Sequence, residues 1–219
     1  MIIDLQEIKT LWINLDRATK NAEDITKQCE IYGIKNHERF PAIVIDPSNH
    51  LCVSHHPHMK PYLAGCGLSH IECIKKSIGS GPTLVLEDDA QITPAYENII
   101  EVPDNIDALY LGVSTGSQQY LSCAYNEKYL RIGRMLAAHA VVYISERYKQ
   151  AALAEAERFV HELHYPWDIS PSVIQEHFLV LTPKLPFYIQ SDNRQSEHKW
   201  QFFTDKAIED KGYNFNDNF

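Results

Sequence analysis

Thr83-Leu84-Val85-Leu86-Glu87-Asp88-Asp89-Ala90 is the stretch on which the reading of this chain turns. A Thr, a Val and two Leu predict a buried strand, and three consecutive carboxylates stand where that strand should end. Like charges so close repel one another unless solvent screens them or a divalent cation neutralises them. Oxygen ligands of this kind suit hard ions such as Mg²⁺ or Mn²⁺. In open α/β sheets ligands bind at the carboxyl ends of strands, so position and chemistry point the same way. The plainer alternative is a strand running into a polar turn.

Immediately upstream, Gly65-Cys66-Gly67-Leu68-Ser69-His70 is predicted to open a helix whose apolar face is Leu68, Ile71, Ile74 and Ile78, with Gly79-Ser80-Gly81-Pro82 ending it. Small residues allow a close backbone approach, and Ser69 and His70 are expected in the first turn. Packing glycines with His70 in the core is the competing reading. Further upstream, Leu11 to Leu15 reads as the first buried strand, then a turn, then a helix with Ala18, Ala22, Ile25, Cys29 and Tyr32 on one face and Gly33 as its stop. Asn14, Leu15, Asp16, Arg17 and Lys20 at that turn could meet a base, ribose or diphosphate; alternatively Asp16 is only a helix cap and Arg17 a solvated side chain. Ala42-Ile43-Val44-Ile45 predicts a second strand. His50, His55, His56 and His58 crowd the loop beyond it and, with Cys52, match no zinc pattern.

Composition narrows the class. The chain has 219 residues, 44% hydrophobic and 22% charged, which fits one globular domain and neither a fibre nor a disordered polymer. A formal charge of −9 gives no broad attraction to nucleic acid or anionic lipid, and Lys and Arg do not cluster beyond Lys75-Lys76. The N-terminus lacks a signal-peptide pattern and no run of apolar residues is long enough to span a membrane. Five cysteines without a C-x-x-C pair are simplest as reduced thiols, so a cytoplasmic location is expected. Strand-like and helix-like segments alternate, giving an α/β layered architecture.

Three segments in order, Ile13-Asn14-Leu15-Asp16-Arg17, Gly65-Cys66-Gly67-Leu68-Ser69-His70 and Leu84-Val85-Leu86-Glu87-Asp88-Asp89, resemble glycosyltransferase family 25. That family includes bacterial lipooligosaccharide and collagen galactosyltransferases. Ile106 to Gly112 and His139 to Ser145 are similar to its later strands, and the likeness runs from about residue 10 to about residue 200. Two departures stand out. Lys20 is the nearest substitute for further arginines after the first motif, and the tail from Gly212 to Phe219 is aromatic and polar rather than basic.

The resemblance implies a single glycosyltransferase domain over residues 1–219, of the GT-A type, with a mixed central sheet and flanking helices. It implies a UDP-hexose donor, galactose or glucose, and transfer with inversion to a hydroxyl of a glycan or another acceptor. Net acidity argues against a nucleic acid acceptor without excluding one. Mn²⁺ or Mg²⁺ would bridge the donor phosphates, with Asp89 the first choice of ligand, Glu87 assisting and His198 a further ligand. Asn14, Leu15, Asp16, Arg17, Ser69, His70, Glu87 and Asp88 would contact the nucleotide sugar, Asp88 at the ribose, although sequence does not separate the roles of the three acids. Arg194 is a candidate for the diphosphate.

Inversion needs a base, and Asp168 in Tyr165-Pro166-Trp167-Asp168-Ile169-Ser170-Pro171 is the candidate, with Trp167 offering a face to the sugar. Ser170 would cap the helix that follows and Pro171 would take its first position; otherwise Asp168 caps the turn and Trp167 is core. A metal-dependent nucleotidyltransferase and a non-catalytic nucleotide-sugar binding module are the alternatives in function.

Overall fold

The computed structural model describes residues 1–48, 60–114, 120–163, 167, 169–190 and 209–215. Strands β1 (Ile2–Asp4), β2 (Lys9–Asn14), β3 (His37–Pro41), β4 (Thr83–Glu87), β5 (Ala90–Ile92), β6 (Ile99–Glu101), β7 (Ala108–Ser114), β8 (Leu121–Ala124), β9 (Tyr129–Gly133), β10 (Leu136–Tyr143), β11 (Val180–Pro183) and β12 (Tyr188–Gln190) alternate with helices α1 (Thr19–Tyr32), α2 (Pro61–Ser77), α3 (Glu146–Glu157) and α4 (Ile169–Ile174). A π-helical turn, Arg158–Leu163, continues α3.

Eight strands form one mixed sheet in the order β3-β2-β4-β10-β7-β11-β9-β8. β3, β2 and β4 are mutually parallel, β10 is inserted antiparallel between β4 and β7, and β11 runs parallel to β7. The carboxyl ends of β3, β2, β4, β7 and β11 therefore share one edge. Two-stranded ribbons pair β1 with β6 and β5 with β12.

Period-two alternation divides the sheet into two buried faces. Leu11, Ile13, Val85, Val141 and Tyr143 pack with Ala64, Ile71, Ile74, Tyr148, Ala152 and Ala156 of α2 and α3. Trp12, Leu84, Leu86, Ala140 and Val142 pack on the other side with Ile25 of α1 and with Ile3, Ile100 and Ile106. Both faces of the central strands are covered, which is why they read as continuous apolar runs.

Helix α1 ends as its sequence predicts. Gly33 is left-handed at φ 68°, and the Ile34 N–H reaches Cys29 O at 2.8 Å while the Gly33 N–H reaches Glu30 O at 3.3 Å. At its start Asp16 does not cap. The N-terminal flank is Ala18, without a side-chain bond, and Asp16 instead pairs with Arg39 at 2.6 Å.

Three expectations need correction. The apolar run Ala42–Ile45 is not a strand: β3 is the polar segment before it, and Pro41 closes the pairing with β2 opposite Asn14. An edge strand does not need two apolar faces, and Val44 in the expected strand is 69% exposed. Helix α2 begins at Pro61, which occupies the first turn as proline can, so Ser69 and His70 sit in its middle. α4 starts at Ile169, so Ser170 and Pro171 lie inside its first turn rather than at the cap and first position.

The acidic strand is anchored from behind by a buried cation. Lys149 of α3, wholly buried, donates to Ser77 O at 2.9 Å, Gly81 O at 2.6 Å and Glu146 Oε1 at 2.7 Å, tying the end of α2 and the turn before β4 to α3. Asp107 does the equivalent at the start of β7. Its carboxylate accepts from Arg147, Ser145 Oγ and the Leu179 N–H.

Candidate functional site

The end of β4 meets the end of β2 because the two strands are in parallel register, Ile13 opposite Glu87. The next residues along, Asn14 and Asp88, touch: Asn14 Nδ2 donates to Asp88 Oδ2 at 2.5 Å and to Ala18 O at 3.0 Å. Asn14 Oδ1 accepts from Arg39 Nε at 2.8 Å, and the Arg39 Nη2 reaches Asn14 O at 3.1 Å. The buried amide of Asn14 is thus held at both ends, and its orientation is fixed by the Arg39 fork. Burial pushes the Asp88 carboxyl above its ordinary value, with Glu87 adding to the rise, while hydrogen bonds from Asn14 and Asn21 oppose it.

One residue back, Glu87 turns toward α2. Its Oε1 lies 3.1 Å from His70 Nε2 and 3.9 Å from Cys66 Sγ, and its Oε2 accepts from Gln190 Nε2 at 3.1 Å. Cys66 and His70 are four residues apart on α2, so they share the face that looks onto β4. Their ligating atoms and that of Glu87 all lie within 4.8 Å of one another. His70 is 1% exposed and stacks on Trp167, ring centroids 4.2 Å apart at 15°.

The glycines of the second motif serve packing. A Cβ on Gly65 would lie 2.4 Å from Ile43 O, and one on Gly67 would lie 2.8 Å from Val160 Cγ2 and 3.0 Å from Trp167 Cβ. Ser69 belongs to the same contact: its Oγ accepts from the Ile43 N–H at 2.8 Å and donates to Gly65 O at 2.7 Å. That hydroxyl is buried within the helix packing.

Of the residues singled out by sequence, Asn14, His70, Glu87 and Asp88 come together here. Asp89 follows in the turn to β5 and is half-buried; Leu15 is half-buried, and Asp16 and Arg17 are exposed on the neighbouring turn. Asp168, Arg194 and His198 lie outside the described residues, as do Cys52, His50, His55, His56 and His58. Trp167 is 3% exposed with its face against His70, which corrects the expectation that it offers that face to a sugar. His139 is buried, its Nε2 3.4 Å from Tyr188 O.

Sequence reasoning missed Arg39, Asn21, Gln190 and the partnership of Cys66 with Glu87. The Cys66/His70 spacing was the available signal, since four residues in a helix return to one face. No comparable pattern marks Arg39 or Gln190.

Of the expected hard-ion set, Glu87 and Asp89 lie at the end of β4 and in the turn after it, and His198 lies outside the described residues; the described residues also form a second group. They gather Cys66, His70 and Glu87, a group able to hold a metal ion. Among the described residues, no helix is long and apolar enough to cross a membrane.

Comparison with known proteins finds no matching family model and no matching curated protein. Among solved structures, a glycosyltransferase involved in the glycosylation of the major capsid of PBCV-1 is similar, with a TM-score of 0.38 and 13% identity over 74% of this chain and 77% of its own. At that depth of likeness, the description of the fold rests on the topology above.

Proposed function

We propose that the chain is a glycosyltransferase of the family 25 type, a single GT-A domain over residues 1–219 that transfers a hexose from a UDP-sugar to an acceptor hydroxyl with inversion. One observation carries the reading. The three motifs behind the family resemblance, far apart in sequence, converge at the carboxyl ends of two parallel strands. Asn14 of the first touches Asp88 of the third, and His70 of the second touches Glu87 of the third. This is where an open α/β sheet receives a nucleotide.

In this reading the donor's nucleoside lies across the ends of β2 and β4. Asp88, steadied by Asn14, accepts from the ribose hydroxyls, and Arg17 and Lys20 on the exposed turn face the diphosphate. A divalent ion, Mn²⁺ or Mg²⁺ with Asp89 as its first protein ligand, would supply neutralisation of the departing diphosphate. The acceptor oxygen attacks the anomeric carbon as the bond to the diphosphate oxygen breaks, and the acceptor's proton passes to the Asp168 carboxylate.

Calorimetry with a panel of nucleotides and nucleotide sugars, with Mn²⁺ and with chelator, tests the reading. Wild type is expected to bind one UDP-sugar in a metal-dependent manner and Asp89→Asn to lose that binding. Asp168→Asn is expected to keep binding and lose UDP release. Absence of binding by every nucleotide under both conditions would overturn the reading.

A further inference from the structure

We propose that Cys66, His70 and Glu87 form a site for a borderline transition-metal dication of the zinc type. The inference stands on these three side chains and does not depend on glycosyl transfer. It reassigns Glu87 from the hard-ion set to a set containing a thiolate and an imidazole.

The spacing of the donor atoms is close to what a tetrahedral ion needs. With bonds of about 2.0 Å to N and O and about 2.3 Å to S, neighbouring ligand atoms stand roughly 3.3 to 3.7 Å apart. The observed separations, 3.1 Å from His70 Nε2 to Glu87 Oε1 and 3.9 Å from Cys66 Sγ to the same oxygen, bracket that range. The ligating atoms of the third pair, Cys66 and His70, lie within 4.8 Å of each other.

Charge supports the same assignment. A thiolate and a carboxylate cancel a dication, and neutral imidazole adds nothing, so the loaded site is neutral where burial would penalise net charge. Mg²⁺ and Ca²⁺ prefer an all-oxygen shell, whereas thiolate with imidazole favours zinc-like ions.

Neighbouring contacts keep the donors in place. Gln190 Nε2 donates to the second Glu87 oxygen at 3.1 Å and so helps fix the orientation of the carboxylate whose Oε1 lies beside His70. Trp167 stacks on His70 and fixes the plane of its ring. The Glu87 side chain is 25% exposed and Cys66 is half-buried, so an ion has a way in.

The experiment uses the full chain, stripped with chelator and titrated with Co²⁺ in the absence of nucleotide. One Co²⁺ per chain is expected, with the intense near-ultraviolet sulfur-to-cobalt charge-transfer band and the visible bands of a tetrahedral ion. Zn²⁺ should displace it one for one, and a thousandfold excess of Mg²⁺ should not. Cys66→Ser should abolish the charge-transfer band.

Alkylation of wild type read by peptide mass spectrometry removes any dependence on how the variant folds. Zn²⁺ at about 100 times its Kd leaves roughly one site in a hundred free, so Cys66 labelling should slow about 100-fold. The inference is overturned by an absent charge-transfer band, by a band that survives in Cys66→Ser, or by unprotected Cys66. Because nucleotide is left out, failure here is separate from failure of the UDP-sugar titration.

Discussion

Replacing Gly65 with Ala sets two effects against each other. Glycine inside a helix costs about 1 kcal/mol relative to alanine, so propensity alone would make the variant more stable. The new Cβ would, however, lie 2.4 Å from Ile43 O, a backbone atom that must retreat by about 1 Å to reach ordinary contact. Overpacking of this kind costs about 1–3 kcal/mol. The same retreat breaks the bond from the Ile43 N–H to Ser69 Oγ, now 2.8 Å, for about 1 kcal/mol more. Set against the propensity gain, the variant should be less stable by about 1–3 kcal/mol. Urea unfolding followed by tryptophan fluorescence reads the difference, since Trp12 and Trp167 are both buried. Ser69→Ala isolates the hydrogen bond and should lose about 1 kcal/mol. A Gly65→Ala midpoint equal to or above wild type would refute the assignment of this glycine to close packing.

Two further expectations concern the electrostatics. The Asp88 carboxyl is raised above its ordinary value of 3.8, chiefly by burial, so the folded protein holds that proton more tightly than the unfolded chain. The resulting stability is fully present below about pH 3.8 and is lost as pH rises through the folded value. Asp88→Asn should therefore unfold at a higher temperature than wild type at pH 7, with the gain vanishing below about pH 4, as thermal melts across pH would show. Lys149→Met keeps the aliphatic stem but removes a buried ammonium with three acceptors, leaving Ser77 O and Gly81 O without it. A loss of about 2–3 kcal/mol is expected in denaturant unfolding, and an unchanged midpoint would show that water replaces the cation without cost.

What the sequence revealed follows from which signals are local. The strand-turn-helix from Leu11 to Gly33 was legible because apolar periodicity and a left-handed glycine are both written along the chain. The acidic strand end was legible because three carboxylates in a row at the end of an apolar run are hard to place elsewhere. The Ala42–Ile45 run misled because apolar content is not burial: the run crosses the top of α2, where Ile43 packs inward and Val44 faces solvent. The helix expected from Gly65 starts one turn earlier, at Pro61, because proline is at home in a first turn and does not mark the loop's end by itself. Asp16 resembled a cap because its partner, Arg39, comes from an edge strand whose position only the parallel register with β2 reveals. The contacts of Glu87 with His70 and Cys66 were not legible, because a strand sequence states neither the face to which its last side chain turns nor what waits there.

The bond between Gln190 and Glu87 joins positions 103 residues apart, and the one between Asn14 and Asp88 spans 74. The latter can close once β2 and β4 have met, while the former must wait for nearly the whole described chain to be made and for β12 to reach β5. Contacts so distant in sequence are slow to form because loop closure precedes any reward. During synthesis the carboxylate would thus be exposed beside Cys66 and His70 before Gln190 arrives to hold its second oxygen. The Gln190 bond cannot precede the synthesis of β12, and an ion that reached Glu87 earlier would meet a set of ligands without it.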